Sequence, residues 1–251
     1  MSTNTVIAAT TSIMSFRFKQ FTIQDDRCAM KVGTDGVLLG AWAETPPRPS
    51  PQGRETAQGR EIRILDVGTG SGLIARMLMQ RCPEAEVEGI DIDEAAVEQA
   101  RENGVNAYCS SLQDWQGSYD LIVSNPPYFQ NSLKNPDKGR EMARHTDTLS
   151  YAELIQHSAR LLQEGGRLAL ILPAEAENEI RQLAAAADLF LTHVTRVYSK
   201  ENRPPKRILI AFRKWTMDNG QWTISEDTLI LEDEKGGRSL PYQELCRDFY
   251  L

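Results

Sequence analysis

The chain has 251 residues, a formal net charge of −7, 41% hydrophobic residues and 25% charged residues. That balance suits one large α/β domain with a substantial core, and no apolar run reaches the roughly 20 residues of a membrane span. The acidic total weighs against a nucleic-acid partner unless basic side chains gather in one place, because phosphate contacts need Lys and Arg.

Met1 to Thr11 lacks the positive region and apolar core of a signal peptide, so a cytoplasmic location is expected. Cys28, Cys82, Cys109 and Cys246 are scattered without C-x-x-C spacing and read as reduced thiols. His145, His157 and His193 form no ligand pattern, so no metal is expected, and His157 falls mid-helix as a structural residue. Ser15 to Ile23 alternates, with Phe16, Phe18 and Phe21 among Arg17, Lys19 and Gln20, which predicts a short strand or hairpin arm. The turn Lys31 to Gly36 leads into an apolar helix, Val37 to Ala43, with Thr34 or Asp35 as its cap. Residues 44–61 hold four prolines and repeat Gln-Gly-Arg-Glu at Gln52 and Gln58. They read as a mobile loop lengthened by duplication, with no chemistry assigned.

Ile62 to Val67 is an apolar strand, followed at once by Gly68-Thr69-Gly70-Ser71-Gly72 and a helical pattern from Leu73 to Met79. Strand, glycine turn and helix make the nucleoside-approach unit of a doubly wound sheet. The next strand, Ala85 to Ile90, ends in Asp91, where a carboxylate can bind both hydroxyls of a ribose. Asp93 is placed to cap the next helix. Tyr119 to Val123 is a buried strand that delivers Asn125-Pro126-Pro127-Tyr128 to its C-terminal end, where open α/β sheets bind ligands. The Asn oxygen and a prolyl carbonyl are two acceptors on a stiff backbone, and Tyr adds a flat face. Together they fit an –NH2 group on a conjugated ring or an amide.

A long polar loop runs from Phe129 to Leu149. Ser150 to Glu153 is a capping box opening a helix to Leu162, which Gly165-Gly166 terminates. A strand at Arg167 to Leu172, a helix at Ala174 to Ala187, strands at Leu189 to Tyr198 and Arg207 to Phe212, and a final hairpin of Trp222–Ile224 with Thr228–Leu231 complete the chain. The βαβα alternation implies a mainly parallel sheet. Three basic groups stand out: Arg17, Lys19, Arg27 and Lys31; Lys134, Lys138, Arg140 and Arg144; and Lys200, Arg203, Lys206 and Arg207. Convergence around one cleft would make them a nucleic-acid footprint.

These residues give the chain its resemblance to the class I S-adenosylmethionine-dependent methyltransferases. Asp66 to Gly72, Asp91 and Asn125 to Tyr128 match that family's glycine loop, ribose acid and catalytic loop, in order. Phe18 to Trp42, Asn125 to Phe129, Arg140, Ala143-Arg144, Leu149, Tyr242 to Leu245 and Asp248 to Leu251 resemble more closely the bacterial tRNA(Val) adenine-N6 methyltransferases, which act beside the anticodon at position 37. The resemblance implies one doubly wound α/β methyltransferase domain over residues 1–251, Rossmann-like and seven-stranded, with residues 1–43 as an arm over the cofactor site. It implies S-adenosylmethionine as cofactor and tRNA as partner, without membrane or metal. Asn125, Pro126, Pro127 and Tyr128 would be catalytic. Lys31, Gly33, Thr34, Asp66, Gly68, Thr69, Gly70, Gly72, Asp91, Ile92, Ser111, Leu112 and Asn125 would bind the cofactor. Lys134, Lys138, Arg140, Arg144, Arg203, Lys206 and Arg207 would contact RNA. The chain departs from the pattern at Ser111, which stands where the family carries an acid near the cofactor adenine, with Asp114 as the nearest substitute. A glutamine-amide protein methyltransferase, a ribosomal RNA guanine-N2 methyltransferase and a non-catalytic RNA-binding module stay open as alternatives, as does the oligomeric state.

Overall fold

A computed structural model describes residues 15–45, 61–127, 149–214 and 223–250. The aromatic alternation near the start forms an antiparallel hairpin, β1 (Ser15–Arg17) with β2 (Thr22–Gln24). Helix α1 (Thr34–Trp42) leads to the first βα unit, β3 (Arg63–Val67) and α2 (Leu73–Arg81). Then come β4 (Glu86–Asp91), α3 (Glu94–Glu102), β5 (Asn106–Cys109) and β6 (Tyr119–Ser124). The second half contains α4 (Tyr151–Leu161), β7 (Leu162–Pro173), α5 (Glu177–Ala186), β8 (Leu189–Tyr198), β9 (Arg207–Lys214), β10 (Ser225–Ile230) and α6 (Leu240–Cys246).

The main sheet has the order β10-β8-β9-β7-β6-β3-β4-β5, and β9 alone runs against its neighbours. From β3 the chain winds outward through β4 and β5, then returns to β6 on the other side of β3. That reversal leaves a crevice at the C-terminal ends of β3 and β6, the expected place for a ligand. Successive strand residues feed opposite layers, as a two-residue period requires. Leu121 and Val123 pack under α1, α2, α3 and α6, whereas Ile122 packs under α4 and α5; Tyr119 joins Ile122's layer because the β6–β7 register shifts between Tyr119 and Leu121. Helices α1 and α2 touch closely because α1 presents glycines: a Cβ on Gly40 would stand 2.6 Å from the Met77 sulfur. Arg81 closes the end of α1 by donating to the carbonyls of Gly40 (2.9 Å) and Ala43 (2.6 Å).

Three local expectations change. The sheet has eight strands, not seven, and β10 joins it parallel to β8 rather than folding into a terminal hairpin. Its charges find partners there: Glu226 pairs with Arg181 (3.2 Å) and Arg196 (3.1 Å), and Asp227 with His193 (3.0 Å). Trp222, the first residue of the expected hairpin, lies outside the described residues. Helix α4 has its capping box on Ser150 and Glu153 but ends at Leu161 and passes straight into β7. Gly165, with φ +72°, lies within β7, where the β6–β7 register shifts.

Beneath β4 and β6 lies a buried polar knot. Tyr119 Oη donates to Glu88 Oε2 (2.9 Å) and accepts from Trp115 Nε1 (2.8 Å). Arg63 donates to the same Glu88 oxygen at 2.6 Å and lies over the Tyr119 ring. Burial, foremost, pushes the Tyr119 hydroxyl up to about 12, so it remains a donor. Replacing Tyr119 by Phe strands the indole N–H and removes a donor from a buried carboxylate. Denaturant unfolding of Tyr119→Phe should show a loss of about 1–3 kcal/mol; an unchanged midpoint would mean the knot contributes nothing.

Candidate active site

At the crevice lies a cleft of about 300 Å³ with two walls. One is Met30, Lys31 and Gly33 to Gly36, from the N-terminal arm and the start of α1. The other is Gly68 to Ser71 with Leu73 and Ile74; Asn125 also lines it.

The glycine loop explains its own composition. Gly68 and Gly70 have φ of +70° and +53°, which L side chains rarely adopt, and no atom lies within 4 Å of where a Cβ would stand. A ligand can therefore approach their backbone closely. Gly72 serves packing instead: it is the N-cap of α2, and a Cβ there would lie 2.6 Å from Val105. The loop is pinned to β4, since Gly68 and Thr69 donate N–H groups to the Ile90 carbonyl at 2.9 and 3.0 Å.

Asp66 sits below the loop, fully buried. Its Oδ2 accepts from Thr69 Oγ1 (2.8 Å) and from the Ala75 N–H (3.2 Å). Its Oδ1 is buried with no hydrogen-bond partner. Burial pushes this carboxyl up to about 7, against the pull of the Thr69 and Ala75 bonds, with the Asp91 charge adding to the rise. Asp66 lies beneath the loop and outside the lining of the cleft, so it acts on a ligand through the loop it holds.

Asp91 ends β4, half-buried. Its Oδ2 accepts from Gly70 N–H (2.9 Å) and its Oδ1 from Asp93 N–H (3.0 Å). A carboxylate offers about four acceptor sites, so these two bonds leave capacity for a diol. Ile92 beside it is 56% exposed, an apolar surface at the rim. Ser111 Oγ donates to Asp114 Oδ2 at 2.7 Å, so the serine in the expected place of an acid holds an acid. Leu112 is buried in the core.

On the opposite wall, Lys31 lines the cleft but turns its ammonium to the carbonyls of Asp25 (2.5 Å) and Asp26 (3.1 Å). Thr34 is the first residue of α1, whose N-cap is Gly33; no side chain caps this end. Asp35 instead accepts from Arg207 Nε at 2.8 Å, tying α1 to β9. Beyond β6, Asn125 is half-buried, Pro126 buried and Pro127 exposed. Ser124 fixes the strand end by donating to the Val67 carbonyl (2.8 Å).

The Methyltransferase small domain family matches residues 55–194. Proteins named tRNA1(Val) (adenine(37)-N6)-methyltransferase from Bacteroides fragilis and Phocaeicola vulgatus are 41% and 43% identical to this chain, over 94% of it and 97% of each of them. The chain belongs to that family. Among solved structures, a predicted O-methyltransferase from Agrobacterium tumefaciens superposes with a TM-score of 0.61, covering 85% of this chain and 96% of its own, at 17% identity. At that identity the likeness concerns the fold.

For this methyltransferase, the structure brings Lys31, Gly33, Thr34, Gly68, Thr69, Gly70 and Asn125 to one cleft. Asp66, Asp91 and Gly72 support its glycine loop from behind and beside. Tyr128, Lys134, Lys138, Arg140 and Arg144 lie outside the described residues, as do 46–60 of the proline-rich loop. Arg203 and Lys206 are exposed between β8 and β9. Lys19, Arg27 and Lys31 are engaged by the protein itself, through the Arg247 carbonyl, Glu98 and Glu102, and the Asp25 loop respectively. Met30, Asp35, Gly36, Ser71, Leu73 and Ile74 join the cleft although the sequence did not mark them as ligand-binding. The Gly36–Gly40 spacing, one helical turn, was the readable sign of a close α1–α2 approach beside it. Among the described residues no group of three or more His, Cys, Asp or Glu could hold a metal, and no helix is long and apolar enough to cross a membrane.

The raised Asp66 carboxyl has a pH signature. The folded chain keeps a proton that an unfolded chain releases near pH 4, so folding takes up a proton between about pH 4 and 7. This group's contribution to stability falls as pH rises through that window and is level above it. Asp66→Asn carries no such charge. Thermal unfolding should show its stability relative to wild type improving from pH 5 to pH 8, and a constant difference would refute the assignment.

Proposed function

We propose that this chain methylates N6 of the adenine beside the anticodon, at position 37, of tRNA(Val), with S-adenosylmethionine as methyl donor. The observation that carries this is the 41–43% identity, over 94% of the chain, to proteins named for that reaction. The cleft supports it, because the glycine loop and Asn125 face one space.

When bound, S-adenosylmethionine supplies an electrophilic methyl group. The open backbone of Gly68 and Gly70 would accommodate it, Asp91 would accept from its ribose hydroxyls, and Asp66, buried beneath the loop, would hold that loop in place. The target nitrogen is a poor nucleophile, since its lone pair is delocalised into the ring. Asn125 Oδ1 and the Pro126 carbonyl accept its two N–H bonds, which draws the nitrogen toward a tetrahedral shape and aims its lone pair. Tyr128 stacks on the base. The gain is orientation and electrostatics, and no strong general base is required, because the proton can leave after transfer. The adenine turns out of its stack to enter such a site. The RNA is held by Arg203 and Lys206 at the β8–β9 turn, with Lys134, Lys138, Arg140 and Arg144 after the catalytic loop.

Asn125→Ala should lower turnover by about 10²–10³ while cofactor affinity changes little, because the residue is assigned to the base rather than the cofactor. Nucleoside mass spectrometry of tRNA treated with wild-type enzyme should show new N6-methyladenosine. Its absence, with methylation of a glutamine in a translation factor instead, would overturn the substrate assignment. Removing two phosphate contacts in the double variant Arg203→Ala, Lys206→Ala should flatten the dependence of log affinity for tRNA on log salt by about 1–2. An unchanged slope would remove the β8–β9 turn from the RNA surface.

A further inference from the structure

Three segments meet at one side chain outside the cleft. Asn103, the residue that closes α3, is buried. Its Oδ1 accepts the Gln24 N–H at 3.0 Å, and its Nδ2 donates to the Gln24 carbonyl at 2.7 Å. The same nitrogen donates to the Ser71 carbonyl at 2.8 Å. The amide thus answers both backbone groups of Gln24 as a neighbouring strand would, and spends its second hydrogen on the glycine loop. One turn earlier, Gln99 Oε1 accepts the Arg27 N–H at 3.2 Å, and Arg27 reaches Glu98 (3.6 Å) and Glu102. Helix α3 therefore grips the arm by its backbone.

Little slack separates that grip from the cleft. The Asp25 carbonyl accepts from Cys28 N–H (3.2 Å), and Asp25 Oδ2 accepts from Val32 N–H (2.6 Å). The segment from Gln24 to Val32 is a closed unit, and its far end, Met30 and Lys31, forms one wall of the cleft together with Gly33 to Gly36. Ser71 belongs to the other wall. Asn103 is bonded to both sides and lines neither.

We propose that Asn103 is a positioning residue for cofactor capture: its amide sets the spacing between the arm and the glycine loop, so losing it weakens cofactor binding and leaves the chemical step intact. Only a side-chain amide can do this, since Asp lacks both donors and Ala all three bonds. The inference rests on the methyltransferase reading above.

The test titrates the full chain with S-adenosylhomocysteine by calorimetry and measures tRNA methylation for wild type, Asn103→Ala and Asn103→Asp. Both variants should raise the Kd, and the KM for S-adenosylmethionine, at least about tenfold. Turnover at saturating cofactor and KM for tRNA should stay within about twofold of wild type. Asn103→Asp keeps the side chain's size and its acceptor for Gln24, and decides the matter if Asn103→Ala does not fold. Folded variants with a lower melting temperature but unchanged Kd would overturn the inference, and so would a loss of turnover with KM unaltered. Failure of both variants to fold would overturn it too, because the amide would then hold the fold rather than the cleft. A wild-type chain that binds no S-adenosylhomocysteine would overturn the methyltransferase reading and this inference together; normal wild-type binding with unaffected variants overturns this inference alone.

Discussion

A buried carboxyl group governs this site. Asp66 lies in the buried part of β3, and two of its hydrogen bonds shape the next two elements of the chain. One holds Thr69, which fixes the turn of the glycine loop. The other holds the Ala75 N–H, one of the first-turn donors of α2 that an α-helix leaves without an internal partner. Strand, loop and helix are thereby set by a single side chain. Because the group is costly to bury while charged, burial raises its pKa to about 7, and the bonds from Thr69 and Ala75 offset only part of that rise. Gly89 shows how tight the fit is: a Cβ there would lie 2.7 Å from Thr69 Oγ1.

Much of the site was legible because its logic is local. The run Asp66 to Gly72 declares a turn that only glycine tolerates, and Asp91 ends a strand with a carboxylate. The capping box at Ser150 and Glu153 closes over three residues. The hidden features depend on partners far away in the chain. Asp35 reads as a helix cap, yet it bonds Arg207, 172 residues on. Asn103 drew no reading from the sequence, and nothing nearby in sequence shows that it pairs with Gln24, 79 residues back. The last strand likewise had a plausible local reading, a hairpin, which lost to charge partners on β8 and α5.

The first and last described segments of the chain also meet. Phe18 stacks against Phe21 with centroids 4.7 Å apart and lies 5.9 Å from the Tyr250 ring. Lys19 N–H donates to the Phe249 carbonyl at 2.8 Å. Aromatic pairs of this kind add about 0.5–1.5 kcal/mol each beyond simple burial. The arm that walls the cleft is therefore held from below by α3 and from behind by the C-terminal segment, so residues far from the chemistry share in its geometry.

Strand β10 has a consequence for the molecule among its own copies. A sheet that ends in an open strand offers unpaired N–H and C=O groups as a template for another chain. Among the described residues β10 is such an edge, six residues long, and carries Glu226 and Asp227, each held by a basic partner on the strand or helix beside it. A second copy approaching edge-on would meet anchored carboxylates, and like charges repel across such a seam. Strand β10 thus widens the sheet and ends it, among the described residues, in a charged edge, the kind that disfavours pairing with a second copy.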